Sequence, residues 1–127
     1  MRRIPAAVAT RKQLEIAELL RRKISGIVLH ELRDPRMGFV TITRLELSGD
    51  LRSAKVFVTV RGSRGDVSKS LAALQHARGH IQGLIGSRIK LRHTPLLRFI
   101  EDKELGEALR VDRLIDEVRR QDVESEQ

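Results

Sequence analysis

The chain of 127 residues contains no cysteine, no tryptophan and no tyrosine, and only three phenylalanines. The lack of cysteine excludes a disulfide framework, a cysteine-ligated zinc site and thiol catalysis. With so few aromatic residues, the core must be built from leucine, isoleucine and valine. No apolar run approaches the roughly 20 residues that span a bilayer, and the N-terminus does not resemble a signal peptide. We therefore expect a cytoplasmic protein with no membrane partner.

Acidic residues are scarce in most of the chain. Residues 1–100 carry 20 Lys or Arg against 7 Asp or Glu, residues 101–127 carry 5 against 10, and the net charge is +8. No acid lies between Val67 and Ile100. A basic, arginine-rich body suits binding to a polyanion. Arginine-rich codon usage or a surface for anionic lipid would give a similar charge. No basic amphipathic helix with bulky aromatics is present for a membrane face, which favours nucleic acid.

Hydrophobic periodicity predicts an α+β domain. A helix capped by Thr10 should run to about Leu32, where Asp34-Pro35 stops it. Strands are predicted over Phe39–Leu47, Ser53–Val60 and Leu96–Glu101. The helices should cover one face of this three-stranded sheet. The predicted shared core consists of Leu20, Ile24, Val56, Val58, Leu74 and Ile81.

A second helical pattern, capped by Asp66 or Ser68 and ending near Lys90, is predicted to break in its middle at Ala77-Arg78-Gly79. Glycine costs about 1 kcal/mol against alanine inside a helix, so we predict a kink that divides this helix in two. A kink with positive flanks would let backbone N–H groups and cations approach a phosphate chain. The predicted element order is therefore α-β-β-α-(kink)-α-β.

The acid-free segment supplies the candidate RNA-binding residues, and the outer face of the first helix supplies a second candidate surface. A solvated basic face is the plain alternative for both sets. The first set is Ala77, Arg78, Gly79, His80, Arg88, Lys90 and Arg92. The second set is Arg11, Lys12, Arg21, Arg22 and Lys23.

The domain boundaries follow from charge and composition. Residues 1–9 are predicted to form a flexible basic arm, and residues 10–120 one RNA-binding domain. Val111 to Val118 suggests a short last helix within that domain. Residues 121–127 are predicted to be a charged, disordered tail.

No catalytic constellation is recognisable. His76 and His80 have the i, i+4 spacing of helical metal ligands, but no cysteine or nearby acid completes a set. Asp34 and Asp50 are explained by a helix-ending turn and a hairpin turn. We therefore predict no enzymatic activity, no cofactor and no metal.

Four ordered motifs carry a resemblance to a known family. They are Leu32-Arg33-Asp34-Pro35-Arg36-Met37-Gly38, the hairpin from Leu45 to Val58, Ala72 to Ile81, and Thr94 to Phe99. Together they are similar to the bacterial ribosome-binding factor A family, over roughly residues 10 to 118. The hairpin departs from the family pattern at Leu45 and Phe57, both of which remain apolar.

The resemblance implies a type II KH fold in which an Ala-x-Gly kink, here Ala77-Arg78-Gly79, replaces the usual Gly-x-x-Gly loop. It further implies a monomeric, non-catalytic factor that binds the small (30S) ribosomal subunit and its 16S rRNA during late maturation. Help with 5′-end processing of that RNA, a role in growth at low temperature and cooperation with other assembly factors belong to the same implication. The alternative is an adaptor that binds ribosomal proteins without touching RNA.

Two literal Gly-x-x-Gly segments need a separate interpretation. Gly83-Leu84-Ile85-Gly86 has apolar middle residues and is predicted to lie inside the helix, where its glycines allow close packing. Gly62-Ser63-Arg64-Gly65 lies between a strand and a helix, and is interpreted as a turn that could contact a phosphate.

Overall fold

The computed structural model describes residues 9–108 and Val118. Its elements are α1 (Arg11–His30), β1 (Val40–Leu47), β2 (Ser53–Val60), α2 (Arg64–Arg88) and β3 (Leu96–Glu101). Residues 103–108 are also helical. The predicted α+β class and all three predicted strands are confirmed.

The three strands form one sheet in the order β1-β2-β3. β1 and β2 are an antiparallel hairpin, with Val40 opposite Val60. β2 and β3 are parallel, with Ser53 opposite Leu96. A parallel pair needs a long crossover, and α2 provides it. The register of the hairpin shifts between Ile42 and Arg44, which marks a bulge at Thr43.

α1 and α2 pack on the same face of the sheet and enclose an aliphatic core. Alternate residues of β2, including Val56 and Val58, point into it, and each of these is fully buried. This is the period of two expected for a strand with one covered face. All six predicted core residues have zero exposure, so that prediction is confirmed: Leu20, Ile24, Val56, Val58, Leu74 and Ile81.

Both helices begin with a capping box. Thr10 caps α1 as predicted, and its hydroxyl accepts from the backbone N–H of Gln13. Ser63 caps α2, and its hydroxyl accepts from the backbone N–H of Asp66. The prediction of Asp66 or Ser68 as the cap was wrong, because Asp66 is the reciprocal partner of Ser63 within the box. Arg64 and Gly65 consequently belong to the helix rather than to a preceding turn.

The predicted interruption of the second helix is not present. α2 is one helix of 25 residues that continues through Ala77, Arg78 and Gly79. Leu74 and Ile81, on either side of Gly79, are fully buried. Burial of a leucine or isoleucine side chain contributes about 1.5–3 kcal/mol, which outweighs the cost of about 1 kcal/mol for one glycine. The predicted division of this helix in two at Gly79 was therefore wrong.

Some predictions fall at or beyond the bounds of the described chain. α1 ends at His30 rather than Leu32, and α2 ends at Arg88 rather than Lys90. The predicted arm over residues 1–9 and tail over 121–127 lie outside the described residues, except for Ala9. The predicted last helix also lies outside them, except for Val118. Within the part of the chain that the structure describes, no helix is long and apolar enough to cross a membrane.

Candidate nucleic-acid interface

The first candidate residues lie in the middle of α2, on its solvent side. Arg78, Gly79 and His80 are exposed and Ala77 is half-buried. A Cβ built on Gly79, or on Gly83 one turn later, would meet no heavy atom within 4 Å. A partner can therefore approach the helix backbone closely here.

The unbroken helix changes the chemistry of this approach. Backbone N–H groups inside a helix bond to carbonyl groups four residues earlier. Because α2 continues through Gly79, these groups are not free to bind phosphates as a kink would allow. Any polar contact to a phosphate at this point would have to come from side chains such as Arg78 and His80, while Gly79 would supply only room.

Arg88 is not a free cation. Its guanidinium donates two hydrogen bonds of 2.6 Å to the two carboxylate oxygens of Glu31. These bonds lower the pKa of Glu31, and they raise that of Arg88. The pair joins the end of α1 to the end of α2. Arg88 therefore has a structural partner, and a phosphate would have to compete with Glu31 for its guanidinium.

The structure separates the remaining members of the first set. Lys90 follows α2 directly and is exposed. Arg92 lies outside α2 and lines a groove together with Arg52 and His93. Arg88 lies ten residues after Arg78 in α2, which is about 15 Å along the helix axis. The candidate residues of the first set are therefore spread along α2 and past its end, and they do not form one pocket.

The groove at Arg92 was missed by the sequence reasoning. Its apolar floor is formed by residues from α1, the hairpin and the segment before β3: Ile16, Leu47, Leu51, Leu91 and Pro95. The carboxylate of Asp50 accepts from the hydroxyl of Ser48 at 2.6 Å and from the backbone N–H of Arg52 at 3.1 Å. These bonds lower the pKa of Asp50. The acid is thus occupied within the hairpin turn, as predicted for a turn residue.

The hairpin turn also contains an unusual backbone conformation. Leu51 has a φ of +62°, a left-handed value that is uncommon for a leucine. Such a conformation cannot be inferred from hydrophobic patterns, and it fixes the course of the chain into Arg52. The one sequence signal that could have indicated this groove was the position of Arg52, a cation just before the predicted strand that begins at Ser53.

The second candidate surface is partly neutralised by acids of the same helix. Arg21 donates to Glu18 at 2.6 and 2.9 Å, and Arg22 lies 3.9 Å from the same carboxylate. Arg11 lies 3.4 Å from Glu15. Among the described residues, the two members of this set without an ion pair are Lys12 and Lys23.

One Gly-x-x-Gly segment lies within α2, and the other spans its start, with Gly62 and Ser63 before the helix and Arg64 and Gly65 as its first residues. Gly83 to Gly86 lies inside α2, with Ile85 fully buried, and a Cβ on Gly86 would stand 3.0 Å from the hydroxyl oxygen of Thr94. This agrees with the predicted packing role for Gly86 but not for Gly83, whose Cβ would meet no heavy atom within 4 Å. In the other segment Arg64 forms two hydrogen bonds to Glu101, of 2.6 and 3.0 Å. That pairing occupies its guanidinium, so Arg64 is a poor candidate for phosphate binding.

The histidines at i, i+4 remain on the exposed side of α2. His76 and His80 are both exposed. Within residues 9–108 and Val118, no group of three or more His, Cys, Asp or Glu side chains is arranged to hold a metal ion.

Comparison with known proteins adds to this geometry. The family model described as Ribosome-binding factor A matches residues 12–115. A Ribosome-binding factor A from Thermomicrobium roseum is 46% identical over 110 residues, which cover 87% of this chain and 85% of the relative.

Two structures of a Thermus thermophilus protein are also similar. The crystal structure of ribosome-binding factor A from Thermus thermophilus has a TM-score of 0.64 and 24% identity, and the match covers 70% of this chain and 93% of that one. This likeness shows a shared fold. A homology model of the Thermus thermophilus protein, fitted into a cryo-EM map of a 30S complex, has a TM-score of 0.55 and 27% identity, over 66% and 88% of the two chains.

Proposed function

Because the chain belongs to the ribosome-binding factor A family, we propose that it is an assembly factor that binds the small (30S) ribosomal subunit. The observation that carries this proposal is its likeness to the Thermus thermophilus protein that was fitted into a map of a 30S complex. The net charge of +8 supports a partner rich in phosphate.

The protein contacts 16S rRNA through the exposed side of α2, as a KH-like module that has no Gly-x-x-Gly recognition loop. Two arguments support this face. Arg78 and Lys90 are exposed cations without an ion pair among the described residues, and Gly79 leaves room for a backbone to come close. Phosphate contacts made by such side chains position a protein on RNA without reading its sequence.

The protein acts by binding rather than by catalysis. Among the described residues, the carboxyl groups whose pKa is shifted have structural partners. Arg36 bonds to Asp34 through its side chain and its backbone, which lowers the pKa of Asp34 to about 2. A carboxylate with so low a pKa is a weak general base near neutral pH. Asp66 is likewise engaged in the cap of α2.

The finer role follows the family resemblance. The protein acts as a cytoplasmic monomer during late maturation of the small subunit, together with other assembly factors. It helps 5′-end processing of 16S rRNA and supports growth at low temperature. These functions fit a factor that holds rRNA in one arrangement while a separate enzyme cuts it.

Binding to purified 30S subunits at several salt concentrations tests the proposal. A double variant, Arg78→Gln with Lys90→Gln, should bind more weakly and lower the slope of log affinity against log salt by about one for each lost phosphate contact. The matched control, Lys12→Gln with Lys23→Gln, removes the same charge from two other cations that lack ion pairs.

Two results would contradict parts of this proposal. Equal slopes for the wild type and the α2 variant, with a reduced slope for the α1 control, would move the RNA contact to α1. A wild-type affinity for the subunit that does not depend on salt would favour the adaptor that binds ribosomal proteins alone.

A further inference from the structure

One aromatic ring is displayed to solvent although aromatic residues are scarce. Phe57 and Phe99 are buried, but Phe39 is 77% exposed. It stands immediately before β1, and it lines a groove with Leu29, which is 72% exposed, and Met37. Two large apolar side chains exposed at one groove suggest a binding surface rather than scattered surface residues.

Two exposed cations near Phe39 have no acidic partner. Arg33 lines the groove, whereas Arg61 lies across from Phe39 on the neighbouring strand. Neither has an ion pair among the described residues. The backbone N–H of Arg61 donates to the carbonyl oxygen of Phe39 at 3.0 Å. These two residues are therefore cross-strand neighbours, with side chains on the same face of the sheet.

The acid in this region does not offset those cations. Asp34 lines the same groove, and its carboxylate accepts from Nε of Arg36 at 3.1 Å and from Nη2 at 2.8 Å. The pair is locally neutral. The surroundings of the Phe39 ring therefore combine apolar surface with positive charge.

The groove lies beside the surface already proposed to contact RNA. The loop that leads to Phe39 runs along α2, since Glu31 is bound to Arg88 and the backbone N–H of Gly38 donates to the hydroxyl oxygen of Ser70 at 3.0 Å. One strand of RNA could follow this loop from α2 to the start of β1.

We propose that Phe39 is a stacking platform for an unpaired base of single-stranded RNA, with Arg33 and Arg61 contacting the adjoining phosphates. A nucleotide combines a flat apolar ring with a negative charge, and the groove presents a complement to each. Aromatic rings flanked by cations are the usual means by which proteins hold single-stranded RNA. This inference rests on the proposed binding of rRNA, and it adds a second contact at a different place in the fold.

The absence of tryptophan and tyrosine allows a direct test. Phe39→Trp would introduce the sole tryptophan, at an exposed position where a larger ring fits. The probe is oligoadenylate of about ten nucleotides, within the usual site sizes for single strands. Stacking of a base should quench the tryptophan fluorescence. Leu96→Trp is the control, because Leu96 is 58% exposed and begins β3, beside Ser53, whereas Phe39 lies by the opposite end of β2.

Affinity for the oligonucleotide separates stacking from simple apolar contact. A base stacked on an aromatic side chain contributes about 1–3 kcal/mol, so Phe39→Ala should weaken binding roughly 5- to 150-fold. Phe39→Leu keeps the apolar character without the ring and should lose nearly as much. Phe39→Tyr should retain the affinity.

Several outcomes would overturn the inference. Equal quenching in both tryptophan variants would mean that the RNA does not select this groove. Full affinity in Phe39→Leu would mean that the site needs apolar surface only. A fluorescence change with 30S subunits but none with RNA would assign the groove to a protein partner.

The same variants distinguish this inference from the proposed function. If all Phe39 variants bind 30S subunits as the wild type does, with an unchanged salt slope, the stacking site is refuted and the subunit remains the partner. If the wild type binds neither subunits nor oligoadenylate, the proposed function and the stacking site both fail.

Discussion

Replacing Gly79 by alanine should stabilise the protein by about 0.5–1 kcal/mol, because glycine is that much less favourable than alanine inside a helix. Gly79 lies in the interior of α2, and it is not among the residues with positive φ. A Cβ at this position would meet no heavy atom within 4 Å. The alanine methyl group therefore fits without strain, and a gain of this size should raise Tm by roughly 2–5 °C in a domain of this length.

Thermal and urea unfolding measure this gain, and binding to 30S subunits measures its functional cost. The new methyl group stands on the face that we propose approaches RNA, so affinity should fall while stability rises. Gly26→Ala is the matched control, because Gly26 lies inside α1 and its Cβ would also meet nothing within 4 Å. It should give a similar gain in stability with no loss of affinity.

Two results would refute this reasoning. A loss of stability in Gly79→Ala, with a gain in Gly26→Ala, would mean that α2 bends at Gly79. Equal affinity for the subunit in the wild type and Gly79→Ala would mean that RNA does not approach the helix at this point.

Two further predictions concern stability. Leu74→Ala should cost about 2–5 kcal/mol in urea unfolding because the side chain is fully buried, while Leu29→Ala should change stability by less than about 0.5 kcal/mol; similar losses would contradict the assigned core. Asp102→Ala should cost about 1–3 kcal/mol at pH 7, since it leaves the backbone N–H of Leu105 without an acceptor and leaves the Thr43 hydroxyl only the carbonyl oxygen of Phe57. Burial raises the pKa of Asp102, but these bonds and nearby Arg44 outweigh it, and the pKa is lowered. The difference between wild type and Asp102→Ala should therefore shrink as the pH falls below about 4, the unfolded value, and a constant difference would contradict the assigned role.

The arrangement of the core was predictable because it depends on the spacing of apolar residues along each strand and helix. Alternation in β2 placed Val56 and Val58 on one face, and helical spacing placed Leu74 and Ile81 on one stripe. These patterns specify which side of each element is apolar, and two apolar faces can be buried only against each other. The structure agrees at every one of these positions.

The continuity of α2 through Gly79 was not predicted, because the local preference of glycine was weighed without its tertiary context. Gly79 lowers helix propensity by about 1 kcal/mol, whereas packing on both sides of it contributes more. The prediction of the residue that caps α2 was wrong for a related reason. Ser63 and Asp66 have the spacing of a capping box, but Gly62 and Gly65 beside them suggested a turn.

The candidate interface was the least predictable part, since a sequence does not say which cations are already paired. Arg88 has no acid near it in the sequence, yet the structure pairs it with Glu31, 57 residues away. Only the crossing of α1 and α2 brings those two side chains together.

Pairing does not by itself remove Arg88 from an RNA interface. Exposed ion pairs contribute at most about 1 kcal/mol, so exchange of Glu31 for a phosphate oxygen would cost little in pairing energy. The exchange would, however, leave the carboxylate of Glu31 beside the incoming phosphate, and like charges at short distance repel. Among the described residues, Arg78 and Lys90 have no such acid paired with them. A polyanion laid along α2 should therefore be held mainly at these two residues, and Glu31 should set the limit on how closely it approaches the helix end.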